Sequence, residues 1–321
     1  TSVCAQENVP IFIPALADSS IGIGLLIARR RGLDIDIDQI ADADELKSRW
    51  DAAASVVVIG GGFIGLEVAA AARKAGKNVT VLEAADRLIA RAVSPITSEF
   101  YRQAHGRRGT DVRLSAQVAR LVGDAGQVTG VELADGELIP ADIVLVGIGV
   151  VPRTELAGQL GLELAGGAIV VDEFSRTSDP RIVAAGDAVL LPHPLGGEGR
   201  VRLESVQNAV DQAKVAAATL LGRPEQYHAV PWFWSDQADL KLQIAGLSTG
   251  YDQTVVRGNP DEDHFSVLYY TAGRLIAIDS INDAPDYMTV RRALAQGATI
   301  PAESAADPSV SLKSLLVPTA T

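Results

Sequence analysis

The chain has 321 residues, 47% of them hydrophobic, and its 28 Lys and Arg against 40 Asp and Glu give a formal net charge of −12. This acidic balance repels phosphates, so it argues against bulk binding of nucleic acid or of anionic membranes. The single cysteine, Cys4, excludes an internal disulfide framework and a redox-active CxxC pair. The length suffices for two or three domains with their own cores.

The first fifty residues contain no complete nucleotide-binding pattern. Gly22 and Gly24 in "IGIGLLI" begin a glycine motif, but Ile27 stands where its third glycine belongs. The apolar run "IGIGLLIA" is too short to span a bilayer and ends in arginines, and no signal peptide is recognisable. We therefore expect a soluble, cytoplasmic protein.

A strand–turn–helix–strand unit follows. The β-branched run at 56–59 predicts a buried strand, and Gly60, Gly62 and Gly65 have the spacing GxGxxG. An alanine-rich helix is predicted over roughly 62–75, and "NVTVLE" predicts a second strand that ends at Glu83. This acidic residue lies about 20 residues beyond the glycines, where the dinucleotide fingerprint requires it.

Each residue type in this unit suits a nucleotide. Gly60 permits the tight turn, Gly62 lets the backbone approach a pyrophosphate, and Gly65 lets the helix pack close to the strand. The helix N-terminus supplies partial positive charge. Glu83 would accept hydrogen bonds from an adenosine ribose and repel a 2′-phosphate, which favours NAD(H) over NADP(H). The alternative is that the glycines serve close packing alone and that Glu83 is solvated.

The remaining pattern predicts further elements in chain order. A β-meander with turns at 124–126 and 135–136 precedes a buried strand at 143–146. The segment "RIVAAGD" predicts a short strand that delivers Gly186 and Asp187 to the start of a new segment. An aspartate at a strand end beside a helix N-terminus can hold a ribityl or ribose hydroxyl, but Gly-Asp is also a common turn. From Val230, four antiparallel strands, "KLQIAGL", "QTVVRG", "FSVLYY" and "RLIAIDSI", and a helix closed by Gly297 predict an α+β domain.

The tryptophans and histidines allow structural as well as functional interpretations. Trp232 and Trp234 would share one face of a strand, where they either wall a cofactor or pack in a core. The four histidines lack metal-ligand spacing, so we expect surface or loop residues and no metal site. They are His105, His193, His228 and His264.

Six ordered motifs carry a family resemblance: "VVVIGGGFIGLE", "VLEAADRL", "LVGIGVVPRTEL", "TSDPRIVAAGDA", "RLESVQNAVDQA" and "VPWFWSDQADLKLQIAGL". Together they resemble the FAD-dependent ferredoxin reductases of bacterial oxygenase systems, of the putidaredoxin and rubredoxin reductase type. These belong to the pyridine nucleotide-disulphide oxidoreductase superfamily. The resemblance implies an α/β fold with two Rossmann-like domains, the first incomplete, and a C-terminal α+β domain. The implied boundaries are 1–50 with 149–229 for FAD, 51–148 for NAD, and 230–321 for the last domain.

The resemblance also implies an activity and a set of cofactor-binding residues. NADH would reduce FAD, which would pass electrons to an iron–sulfur ferredoxin serving an oxygenase such as a cytochrome P450. No side-chain acid or base is obligatory; Asp187 would hold the flavin ribityl chain, while Glu67 and Trp234 are candidate nicotinamide or flavin neighbours. The full implied set is Gly60, Gly62, Phe63, Ile64, Gly65, Glu67, Glu83, Gly149, Gly186, Asp187, Glu204, Ser205, Val206, Gln207 and Trp234.

The sequence also departs from the family pattern. Arg153 stands where asparagine is usual, Ala188 replaces a common cysteine, and the first glycine motif, a flavin-cradling lysine stretch and an "ATGA" turn are absent. We therefore expect that the sequence omits residues of the intact protein, or that the protein is a shortened homologue. Two alternative functions stay open: an NADH oxidase, or a non-catalytic NAD(H)-binding module. The lone cysteine argues against the disulfide-reducing branches.

Overall fold

The computed structural model describes residues 40–124 and 127–318. Cys4, the glycines at 22 and 24, and positions 125–126 of the predicted meander turn lie outside these ranges. The chain forms two compact units: one reaches Val150 and includes Ser235–Lys241, and the other contains Val151–Trp234 and continues from Leu242. The three-domain division implied by the resemblance stays a prediction.

The helices and strands are as follows. The helices are α1 Ile40–Ala52, α2 Phe63–Lys74, α3 Pro95–Arg107, α4 Glu155–Gln159, α5 Val206–Leu220, α6 Ala284–Ala295 and α7 Ala302–Ala305. The strands up to residue 150 are β1 Ser55–Ile59, β2 Asn78–Leu82, β3 Thr110–Arg113, β4 Val118–Asp124, β5 Gln127–Leu133, β6 Leu138–Pro140 and β7 Ile143–Val146. The later strands are β8 Leu164–Ala165, β9 Ala168–Val170, β10 Val189–Pro192, β11 Arg200–Val201, β12 Trp232–Gln237, β13 Leu240–Gly246, β14 Gln253–Asn259, β15 His264–Thr271, β16 Arg274–Ile281, β17 Ala298–Thr299 and β18 Val317–Pro318.

The first unit is built on a parallel sheet with the strand order β3-β2-β1-β7. Val57 of the central strand lies opposite Thr80 on one side and Val144 on the other. The central strand is apolar from Val56 to Ile59 because both faces of a parallel sheet are covered, and Val56, Val57 and Val58 are each 1% exposed. The sequence prediction of a buried strand here is confirmed.

The strands β4, β5 and β6 form a three-stranded antiparallel sheet, as the predicted β-meander requires. Its side chains Val131, Leu133 and Ile139 share one buried core with Val57 and Val144 of the parallel sheet. The strand at 143–146 also agrees with its prediction, and α2 ends before Gly76, whose φ of +77° is the left-handed value expected of a glycine after a helix.

The residues after Val151 form two further main sheets. The first has the order β11-β10-β9-β8, and its core joins Val171, Val189 and Leu191 with Tyr227. The second has the order β12-β13-β16-β15-β14, and the antiparallel strands β13 to β16 bear out the four predicted strands. The helix α6 packs on this sheet through Tyr287 and Val290.

Two predictions from the sequence are wrong. The segment 181–187 forms no strand; it is a loop with one bridge between Val183 and Arg176, and Asp187 stands in the turn before β10. His105 is not a surface or loop residue: it is 2% exposed in α3. The helix buries Phe100, Tyr101, Ala104 and His105 on one face, and this spacing places the imidazole inside the unit.

Candidate functional site

The turn between β1 and α2 is shaped by two glycines that the protein itself requires. Gly60 has φ +108°, and a Cβ there would collide with the carbonyl of Gly147. A Cβ on Gly65 would collide with the carbonyl oxygen of Gly60. These contacts agree with the tight turn and the close helix–strand packing expected from the motif.

Gly62 differs from both neighbouring glycines. It precedes α2 with φ −80° and ψ −179°, which any residue adopts, and no heavy atom lies within 4 Å of the position of a Cβ. Local packing therefore does not require glycine at this position. Phe63 and Ile64 follow as half-buried residues of the first turn of α2, and the partial positive charge at a helix N-terminus favours anions there.

Glu83 lies beside this turn, directly after β2. Its Oε2 accepts a hydrogen bond from the Gly61 N–H at 2.6 Å, and its Oε1 accepts one from the Ala85 N–H at 2.7 Å. Each carboxylate oxygen keeps a second lone pair, so the side chain is fixed in orientation while it retains acceptor capacity.

The carboxyl ends of the parallel strands meet at one edge of the sheet. Gly60 donates its N–H to Leu82 at 2.8 Å, and Gly147 donates its N–H to Ile59 at 2.7 Å. Gly149, with φ +112°, continues the chain from β7 beside Arg91. The structure thus brings the residues of the predicted NAD set together where open α/β sheets bind ligands.

Glu67 lies one helical turn into α2 and is largely buried. Its Oε1 accepts a hydrogen bond from the Ser235 hydroxyl at 2.6 Å. Burial raises the pKa of Glu67 to about 7, against the opposing effect of the Ser235 bond. The nearby charge of Asp236 raises this pKa further, so the carboxyl changes its charge close to neutral pH.

A second candidate region surrounds the start of α5. Gly186 is buried with φ +87°, and its N–H donates to Gln212 Oε1 at 2.7 Å. Asp187 is exposed beside the helix N-terminus; burial of part of its carboxyl and the charge of Glu204 raise its pKa. Ser205 caps α5 by accepting the Asn208 N–H at 3.1 Å.

The residues of the predicted "ESVQ" segment differ in solvent exposure. Glu204 is exposed and pairs with Arg202 at 2.8 Å, and Val206 is 52% exposed. Gln207 is buried, and its amide bonds Asp211 at 2.8 Å and the Trp232 N–H at 3.2 Å. The structure therefore gives Gln207 structural hydrogen bonds that the sequence prediction did not include.

Two buried polar atoms near Gly186 have no hydrogen-bond partner within 40–124 and 127–318. They are Asn208 Oδ1 and Gln212 Nε2. Buried polar atoms in native proteins are normally hydrogen-bonded. The start of α5 therefore has unsatisfied donor and acceptor capacity next to Asp187.

The tryptophans share one face of β12, as predicted. The ring centroids of Trp232 and Trp234 are 5.6 Å apart. Trp232 packs under the Arg291 guanidinium, 4.6 Å from its centroid, whereas Trp234 is 42% exposed. Trp232 is thus a packing residue, and Trp234 is the aromatic that a ligand or partner could reach.

Sequence reasoning missed Ser235, Gln237 and His105, which form a hydrogen-bonded chain ending at Glu67. The alternation S-x-Q on a predicted strand was the available signal, because positions 235 and 237 face the same side.

The described residues include no group of three or more His, Cys, Asp or Glu side chains able to hold a metal. None of the helices in the described ranges has the length and apolar content to cross a membrane.

Comparison with protein families gives two matches. Residues 28–213 match the model for pyridine nucleotide-disulphide oxidoreductases, and residues 232–316 match the model for the reductase C-terminal domain. Rhodocoxin reductase of Rhodococcus erythropolis is 49% identical over 272 residues, which cover 85% of this chain and 63% of that protein. Putidaredoxin reductase of Pseudomonas putida is 40% identical over 279 residues, which cover 86% of this chain and 66% of that protein.

Solved structures agree with this assignment. The ferredoxin reductase for the CYP199A2 system of Rhodopseudomonas palustris superposes with a TM-score of 0.82 at 43% identity, covering 87% of this chain and 69% of the other. The reductase in a covalent putidaredoxin reductase–putidaredoxin complex superposes equally well at 39% identity, covering 87% and 67%. The chain thus spans about two thirds of the length of these relatives. By sequence and by fold, this chain belongs to the pyridine nucleotide-disulphide oxidoreductase family, on its ferredoxin-reductase branch.

Proposed function

We propose that this protein is an FAD-dependent NADH:ferredoxin oxidoreductase acting in the cytoplasm. The carrying observation is the β1–α2 turn, which leaves open space only at Gly62 and has a carboxylate, Glu83, fixed at its side. The relatives are named as reductases of rhodocoxin and putidaredoxin, which supports a small iron–sulfur protein as the electron acceptor.

NADH is the substrate that this turn suits. Its pyrophosphate would lie against Gly62 and the first N–H groups of α2, where the helix terminus stabilises negative charge. The Glu83 carboxylate would accept the ribose hydroxyls and would repel the 2′-phosphate of NADPH. Gly149 would let the backbone approach the nicotinamide end without a side chain in the way.

Glu67 would contact the nicotinamide itself. An ionised carboxylate accepts hydrogen bonds from the carboxamide NH2 group, and it stabilises the positive charge that the ring carries in NAD⁺. Because the pKa of Glu67 is about 7, both charge states are populated under ordinary conditions. The side chain thus favours the oxidised nucleotide more as the pH rises.

FAD would be held at the start of α5. The exposed Asp187 carboxylate would accept ribityl hydroxyls, while Gly186, Glu204, Ser205, Val206 and Gln207 border the same helix terminus. The unsatisfied polar atoms of Asn208 and Gln212 fit a region completed by a polar group. When bound, FAD supplies the conversion between a two-electron hydride donor and a one-electron acceptor.

Each of the three proposed domains would have its own function in electron transfer. Residues 51–148 would bind NADH, residues 1–50 with 149–229 would bind FAD, and 230–321 would present the exposed Trp234 near the point of electron exit. No side chain is required to move a proton for hydride transfer, so these residues act by binding and orientation.

The test is reduction of a small [2Fe–2S] ferredoxin by the FAD-supplemented chain and NADH, without oxygen. We expect bleaching of the ferredoxin that depends on all three components, and slower bleaching with NADPH. Fast oxygen consumption without ferredoxin would indicate an NADH oxidase instead. Binding of NADH with no reduction of either acceptor would indicate a binding module.

A further inference from the structure

Four side chains of the first unit form one buried hydrogen-bonded chain. Ser235 Oγ donates to Glu67 Oε1 at 2.6 Å, and Gln237 Nε2 donates to Ser235 Oγ at 3.1 Å. At the far end, His105 Nε2 lies 2.8 Å from Gln237 Oε1. Ser235, Gln237 and His105 are 1%, 1% and 2% exposed, so water does not compete for these bonds.

The chemistry of the groups fixes the direction of every bond. An amide oxygen only accepts, so His105 must carry its hydrogen on Nε2. The amide nitrogen of Gln237 donates to Ser235, which leaves the serine hydroxyl hydrogen for Glu67. All three donors therefore point toward the carboxylate, and each bond polarises the next.

The charges around these four hydrogen-bonded residues favour the same direction of the hydrogen bonds, toward Glu67. Burial, together with the nearby charge of Arg108, lowers the pKa of His105, so its ring is neutral with a single N–H. At the other end, Asp236 is the charged group that acts on Glu67, and its backbone N–H also bonds the Glu67 carboxylate. Ionised Glu67 is thus held by two donors from β12.

We infer that Ser235, Gln237 and His105 are positioning residues that orient the Glu67 carboxylate toward the nicotinamide. This inference rests on the proposed function and extends it, because it assigns a function to three residues outside the glycine motif. His105 selects the orientation of the Gln237 amide, the amide selects the orientation of the Ser235 hydroxyl, and the hydroxyl fixes Glu67. Loss of any one of these three residues from the hydrogen-bonded chain leaves the Glu67 carboxylate freer to rotate and less well stabilised when it is charged.

The test compares Ser235→Ala, Gln237→Leu and His105→Phe in the full chain. The dissociation constant of NAD⁺ is measured by calorimetry at several pH values around 7. In the wild type we expect affinity to rise with an apparent pKa of about 7. Each variant should move this apparent pKa upward, Ser235→Ala most and His105→Phe least, and should weaken NAD⁺ binding at pH 7 by up to about tenfold.

Asp239→Asn is the matched control. Arg108 and Asp239 pair at 2.7 Å and join α3 to the turn after β12, the same two segments that the buried chain joins. This substitution removes a contact between them and changes none of the four hydrogen-bonded residues. It leaves Arg108 charged and His105 neutral, so the pH profile should stay that of the wild type. A shift in the control as large as in Gln237→Leu would show that general loosening, not positioning, moves Glu67.

A second variant and a spectrum keep the test independent of folding. His105→Gln retains a donor at the far end and should recover much of the wild-type profile. In the ¹⁵N spectrum of the wild type, the signal lost in His105→Phe should belong to an Nε2–H tautomer. Variants that bind NAD⁺ with the wild-type profile would overturn the positioning role alone, whereas a wild-type chain that binds no NAD⁺ would overturn the proposed function as well.

Discussion

The helix N-termini of the two candidate regions, that of α2 in the first unit and that of α5 in the second, are built differently. At α2, the turn is fixed by the protein's own packing: Gly60 and Gly65 are required by neighbouring carbonyls, and Glu83 is anchored by two backbone N–H groups. At α5, Asp187 is exposed next to Glu204, and Asn208 and Gln212 each keep a buried polar atom without a partner among the described residues.

This difference separates a preformed site from one that needs another group. Two carboxylates close together repel, and unpaired buried polar atoms cost free energy. The α5 region therefore gains stability when a ligand or further chain supplies partners, while the α2 turn keeps its shape alone. We expect substitutions at α2 to act on the fold or on NADH, and substitutions at α5 to act on FAD.

The largest effect should follow Gly60→Ala. The new Cβ meets the Gly147 carbonyl at a backbone angle that alanine rarely adopts, and we expect a loss of about 3 kcal/mol or more in the free energy of unfolding. Urea denaturation measures this loss. A variant as stable as the wild type would show that the turn is not held by its own packing.

Gly62→Ala should keep the fold but weaken NADH binding. No atom lies near the new Cβ and the backbone angles suit alanine, so stability should change by less than about 1 kcal/mol. The methyl group would occupy the space of the pyrophosphate, and we expect the dissociation constant of NADH to rise about 30-fold.

Gly106→Ala is the matched control for this experiment. It lies in α3, and its added methyl group also meets nothing within 4 Å. NADH affinity should be unchanged in this variant. Equal affinities for Gly62→Ala and Gly106→Ala would contradict the assignment of the α2 turn.

Glu67→Gln should remove a pH dependence of stability. The folded pKa of Glu67 is about 7 and its ordinary value is 4.5, so between these values the unfolded chain has released a proton that the folded chain keeps. Stability is therefore full below 4.5 and falls as the pH rises to 7. The wild type should lose about 3 kcal/mol relative to the variant across this window, as unfolding measurements at pH 4.5 and 8 would show.

Asp187→Asn should have the smallest effect and should be specific for FAD. Loss of a charged acceptor predicts a roughly tenfold weaker binding of FAD, measured by fluorescence quenching, with NADH affinity unchanged. Asp179→Asn, which changes a carboxylate paired with Arg181 at 2.7 Å in the same unit, is the control and should bind FAD normally. A parallel loss of NADH binding would erase the distinction between the two helix termini.

The sequence predicted the regions where the local rules of secondary structure agree with one another. The run at 56–59, the glycine spacing and Gly76 predicted the β1–α2–β2 unit because strand burial, turn geometry and helix termination all agree there. The alternating runs after 240 predicted β13 to β16 for the same reason.

Long-range packing decided the parts that were missed. The short apolar run at 181–187 suits a strand, but only Val183 pairs with another segment, and the chain turns at Gly186. His105 is polar, and its burial depends on Gln237, which is 132 positions away in the sequence. The S-x-Q alternation places Ser235 and Gln237 on one face of a strand, but no local pattern identifies His105 or Glu67, 132 and 168 positions from their partners, as the residues that they contact.

The most direct test of the proposed electron path is the visible spectrum of the FAD-supplemented, desalted protein, before and after NADH is added without oxygen. We predict that a bound flavin band remains after desalting and bleaches when NADH is added. Bound flavin that NADH fails to bleach, or NADH binding by a protein that retains no flavin, would contradict the proposed hydride transfer from NADH to FAD.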